Sequence, residues 1–66
     1  GIDTLSPDRP ENNFKVHELI LGSGKIILEN VCNLCAMPPT GACVLIAPLK
    51  VKDLTEAPVR VIGFVK

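Results

Sequence analysis

Tryptophan and tyrosine are absent, and phenylalanine occurs only at Phe14 and Phe64. Single-stranded nucleic acid is usually held on several stacked aromatic rings, a surface this chain cannot build. Neither sign of charge is in excess: seven lysines and arginines stand against seven aspartates and glutamates, a formal net charge of zero. That removes the electrostatic footprint of nucleic-acid binding and of attachment to an anionic membrane surface. No apolar run approaches the roughly 18 to 20 residues of a membrane-crossing helix. The longest runs are interrupted by Glu29, Lys50 or a glycine. A basic-then-apolar leader is also missing, so the expectation is a cytoplasmic protein with neither nucleic acid nor membrane as partner. Histidine occurs once, at His17, and no nucleophile elbow accompanies it, so no Ser/His/Asp arrangement can be written. Gly22 and Gly24 lack the third glycine and the preceding strand of a dinucleotide loop.

What remains is a short, apolar chain. Its 66 residues are 47% hydrophobic, with a mean hydropathy of +0.36, which is too apolar for a disordered tail. The core must be aliphatic. A domain this small struggles to offset its folding entropy with such a core alone.

Residues 1–13 are polar and turn-rich, with Pro7 and Pro10 three apart, and read as an irregular loop. From Phe14 to Leu21 the pattern becomes helical: Val16, Leu19 and Ile20 stand at i, i+3 and i+4. Asn13 is the expected N-cap, and Gly22 and Gly24 end the turn. Three strands are expected, over Lys25–Val31, Ala42–Val51 and Pro58–Val65. Asn33–Gly41 and Lys52–Ala57 supply the connections, and Pro48 marks an edge or bulge. One helix followed by strands on short links is α+β, with the short helix packed on a small, mainly antiparallel sheet.

Three kinds of residue could carry chemistry. His17 shares a helix face with Ile20 and Leu21 and reads either as a packing histidine with one satisfied nitrogen or as a ligand. Strand alternation places Glu29 on the face of Ile27 and Val31. A carboxylate there needs a cation, a metal or several donors, unless that face is simply wet. Cys32 and Cys35 have C-x-x-C spacing, suited to zinc or dithiol redox work, and Cys43 is a third thiol. The competing reading makes all three cysteines buried small hydrophobes.

Several pieces in order add a family reading. They are Gly1-Ile2-Asp3-Thr4-Leu5-Ser6; His17 with Leu19, Ile20 and Leu21; Ile26-Ile27-Leu28-Glu29-Asn30; Asn33-Leu34; Pro38-Pro39 with Gly41; Ala47-Pro48-Leu49-Lys50; and Ala57-Pro58-Val59-Arg60. Together they resemble the C-terminal third of the metal-dependent cyclase family, which includes bacterial-type kynurenine formamidase and isatin hydrolase. The resemblance covers nearly all of residues 1–66. It implies a C-terminal piece of a swivelling β/β/α domain from a metal-dependent amidohydrolase.

By this resemblance His17 and Glu29, twelve positions apart, match the family's C-terminal metal ligands. An imidazole and a carboxylate form a suitable mixed pair for zinc or manganese. The implied substrate is a small-molecule amide, in the formamidase branch N-formylkynurenine, yielding kynurenine and formate. The remaining ligands and the proton-shuttling histidine come, in the family, from a His-x-Gly-Thr-His-x-Asp-x-Pro-x-His run. That run is not among these residues, so the chain alone is expected to be inactive. Asp3 and Ser6 match a segment near the family's active site, and both also favour loop capping.

Two expectations follow. His17 and Glu29 should converge to within about 3 to 6 Å, since both would reach a metal at about 2.0 to 2.2 Å. The apolar content implies surface that other parts of the protein, or association into a homo-oligomer, would cover. The reading from a different class is a small structural or binding module with a zinc site at Cys32 and Cys35.

Overall fold

A computed structural model describes residues 1–66. The chain forms two compact units, Gly1–Leu34 and Cys35–Lys66. The class is α+β: one α-helix, in the first unit, and a two-stranded antiparallel sheet, in the second. No helix is long and apolar enough to cross a membrane.

In the first unit a 3-10 turn at Pro10–Asn12 precedes helix α1, Lys15–Gly22. The helix lies one residue later than its periodicity predicts, and its start is built differently. Asn13 is not the N-cap: it and Phe14 both adopt left-handed conformations, φ 53° and 57°, and neither side chain caps the helix. A left-handed residue cannot present its side chain to the N2 and N3 amides as an extended cap does. The two turns instead carry the chain into α1 with Asp8 below its first turn. For a phenylalanine that conformation costs about 1 to 2 kcal/mol.

The C-terminus follows the expected glycine signal. The Ser23 amide donates to Ile20 O (3.2 Å) and the Gly24 amide to Leu21 O (3.1 Å), with Gly24 at φ 74°. Only a residue without Cβ adopts that conformation freely.

The expected strand over Lys25–Val31 does not form as a regular strand. The segment hydrogen-bonds to the chain start instead: Ile2 N to Leu28 O (2.9 Å), Val31 N to Ile2 O (3.0 Å) and Asn30 N to Thr4 O (2.9 Å). Ile2 thus bonds to residues three apart, one more than a regular ladder allows. Between them Asn30 stands at φ 55°, outside the extended region that regular strand pairing needs. The predicted alternation goes with it. Ile27, Leu28, Glu29 and Val31 are all half-buried rather than divided between two faces.

In the second unit, β1 (Cys43–Pro48) pairs antiparallel with β2 (Val59–Phe64), in register Cys43 to Phe64 through Pro48 to Val59. Both strands lie inside their predicted ranges. Pro48 closes β1, where its missing N–H breaks no ladder bond. The Leu49 amide continues the hairpin by donating to Pro58 O at 2.9 Å. Ile46 and Val61 stand opposite each other and are the half-buried pair of the hairpin.

No side chain in the chain is fully buried, and Leu19, Leu45, Leu49 and Phe64 are among the large apolar residues left exposed. The buried-cysteine reading fails for the same reason: Cys32, Cys35 and Cys43 are all exposed, free thiols.

Candidate metal centre

The least exposed polar side chain in the first unit's site is Asp8, at 3%. Its position follows from the loop before it. Thr4 Oγ1 donates to Ser6 O (2.6 Å), and Ser6 Oγ accepts the Asp8 amide (3.1 Å). Ser6 is therefore a loop-capping residue, as a serine two positions before an amide donor commonly is. Asp3 is exposed.

Asp8 then caps α1 from outside the helix. Its Oδ1 accepts from the Val16 amide (2.9 Å) and from Asn12 Nδ2 (3.0 Å). Its Oδ2 accepts from the His17 amide (2.9 Å) and lies 2.7 Å from His17 Nδ1. Val16 and His17 are the second and third residues of α1, whose amides have no partner within the helix. A negative group here also meets the positive end of the helix dipole. Desolvation of the carboxyl pushes its pKa upward, but the bonds from Val16, His17 and Asn12 outweigh it and hold the group well below the usual carboxylate range.

The second ring nitrogen of His17 faces the other way. His17 Nε2 and Glu29 Oε1 stand 3.5 Å apart, with the two side chains 26% and 31% exposed. The expected convergence of these two residues is therefore present in the geometry. Glu29 reaches the site from the irregular stretch after Leu28, not from a ladder strand. Phe14 borders the imidazole edge-on, with ring centroids 5.5 Å apart and planes at 75°.

That separation is longer than a hydrogen bond, for which 2.7 to 3.2 Å is typical. It is the distance of an ion pair when the imidazole carries a proton, and it also matches the spacing of two ligands on one ion. Two ligands at about 2.0 to 2.2 Å in a tetrahedral arrangement stand about 3.3 to 3.6 Å apart. The donor set is one imidazole nitrogen and one carboxylate oxygen, both reachable from solvent. His17 and Glu29 therefore fit two positions of a divalent-metal site. No group of three or more His, Cys, Asp or Glu side chains is set to hold an ion; His17 and Glu29 converge as a pair.

Asp8 is the site residue that sequence reasoning missed. The available signal was slight: an aspartate two residues after a serine, in a loop leading to a helix. Its link to His17 depends on the two left-handed turns at Asn13 and Phe14, which no periodicity reveals. Comparisons with models of protein families, with curated proteins and with solved structures returned no match.

Proposed function

We propose that His17 and Glu29 form part of the divalent-metal site of an amidohydrolase acting on a small N-acyl amide, the arylformamidase-like chemistry that the sequence resemblance implies. The single observation that supports it most is the pairing of His17 Nε2 with Glu29 Oε1 at 3.5 Å, a spacing suited to two ligands of one ion. Zinc or manganese bound there would polarise an amide carbonyl and make water a nucleophile near neutral pH. This chain's own residues have narrower tasks. His17 offers a nitrogen donor from a rigid helix, Glu29 offers a charge-neutralising oxygen, and Asp8 holds His17 in place. Phe14 walls one side of the imidazole. The further ligands and the proton-transfer group lie outside these residues on this reading, so turnover belongs to the complete protein.

The test is calorimetric titration of the chain with zinc or manganese chloride, repeated on His17→Ala and Glu29→Gln. Binding that both substitutions weaken at least tenfold supports the site. Binding that survives both, and is lost in Cys32→Ser or Cys35→Ser, replaces it with the cysteine zinc module. In the complete protein, hydrolysis of an N-formyl arylamine that depends on His17 and Glu29 supports the activity. Metal binding without such hydrolysis removes the activity and leaves the metal site.

A further inference from the structure

His17 stands between two carboxylates that treat its ring nitrogens differently. Asp8 Oδ2 lies 2.7 Å from Nδ1, while Glu29 Oε1 lies 3.5 Å from Nε2. An ionised carboxylate has no hydrogen to give, so a contact as short as that at Nδ1 requires the hydrogen to sit on Nδ1. In a neutral imidazole this leaves Nε2 bare, its lone pair directed to the side where Glu29 stands. Two acceptors then face each other across a gap too long for a direct bond, an arrangement suited to a cation.

Asp8 is built to impose this choice. Each of its oxygens already accepts two bonds, from Val16 N and Asn12 Nδ2 on one side and from His17 N and Nδ1 on the other. Its own amide is tied to Ser6 Oγ at 3.1 Å. The carboxylate therefore has no freedom to turn away from the ring. The same oxygen grips the His17 backbone amide and its ring nitrogen, which fixes the imidazole relative to the helix that carries it.

We infer that Asp8 is a positioning residue that locks His17 in its Nδ1–H tautomer and so presents Nε2 as the coordinating nitrogen. Its consequence for coordination rests on the metal-site reading above; the tautomer itself does not. Hydrogen-bonded carboxylates behind ligating histidines set ring orientation in this way, and their loss typically weakens metal binding by 10- to 100-fold.

His17 is the only histidine, so a long-range proton–nitrogen correlation spectrum of the 15N-labelled chain reads this ring without assignment. The measurement is made at about pH 8.5, above the ordinary imidazole range. The expected wild-type spectrum shows Nδ1 protonated and Nε2 bare, and added zinc chloride perturbs Nε2. Asp8→Ala should release the ring toward the Nε2–H form that free histidine favours in water, and weaken zinc binding about tenfold or more. A wild-type ring protonated on Nε2, or zinc bound through Nδ1, overturns the role of Asp8. The wild-type spectrum decides the tautomer even if Asp8→Ala fails to fold. A ring held as Nδ1–H that zinc never perturbs supports the tautomer lock and removes the metal reading, so the two can fail separately.

Discussion

Asp8 Oδ2 accepts from the backbone amide of His17 at 2.9 Å and also lies 2.7 Å from that residue's Nδ1. One carboxylate oxygen thus joins the start of a helix to the orientation of an imidazole, and the stability of α1 and the chemistry of His17 share a cause.

Acid should expose that link. The folded pKa of Asp8 is depressed, chiefly because the bonds from Val16, His17 and Asn12 outweigh its desolvation. A depressed carboxyl contributes stability that is fully present above its unfolded pKa of about 3.9 and is lost as pH falls through the lower folded value. The protection of the Val16 and His17 amides, measured against unfolded amides at the same pH, should therefore persist at pH 5 and fall only below about pH 3.9. Protection lost already between pH 7 and 5 would show that another group holds the helix start.

Glycine positions give a paired test of backbone geometry. A Cβ at Gly22 or at Gly24 meets nothing within 4 Å, but Gly24 has φ +74° and Gly22 is helical. Gly22→Ala should stabilise α1 by about 0.4 to 1 kcal/mol. Gly24→Ala should destabilise it by about 1 to 2 kcal/mol, the strain of a left-handed alanine. Helical circular dichroism with urea titration reads both, and equal signs for the two would contradict the described turn.

In the hairpin, a Cβ at Gly63 would come within 2.5 Å of Met37 Sδ and Cε. These are the flexible end of a side chain that adapts readily. Gly63→Ala should therefore shift the Met37 methyl resonance while changing stability by less than about 1 kcal/mol, because the gain from stiffening a strand glycine offsets the repacking. A larger loss would mean that Met37 cannot move.

The thiols separate the two functional readings. With Cys32, Cys35 and Cys43 all exposed, each should react with an alkylating reagent in the native state, at rates that zinc leaves unchanged. Cys32→Ser and Cys35→Ser should keep zinc affinity within about threefold, under roughly 1 kcal/mol. Protection of that pair by zinc would favour the cysteine module.

The chain buries no side chain completely and leaves many large apolar groups exposed. Alone it should unfold over a broad range or associate with copies of itself, as expected where little apolar area leaves water. Sedimentation and calorimetry check this: a sharp monomeric transition above about 60 °C, in the range of ordinary complete domains, would contradict it.

Local signals were enough for α1 and the hairpin. Val16, Leu19 and Ile20 repeat at helical spacing, and the segments around Lys52–Ala57 alternate about a polar turn, so the helix and each strand are encoded in their own segments. The pairing of His17 with Glu29 came from the ordered resemblance, since no pattern in the residues brings position 17 to position 29. Tertiary structure alone decided the rest. Asn30 at φ 55° breaks the strand expected over Lys25–Val31, and whether an asparagine turns left-handed depends on what its neighbours bond to. Asp8 became both cap and imidazole anchor because Asn13 and Phe14 fold the loop back under the helix. A contact between positions nine apart, closed by two left-handed residues, has no period, and only the closed loop reveals it.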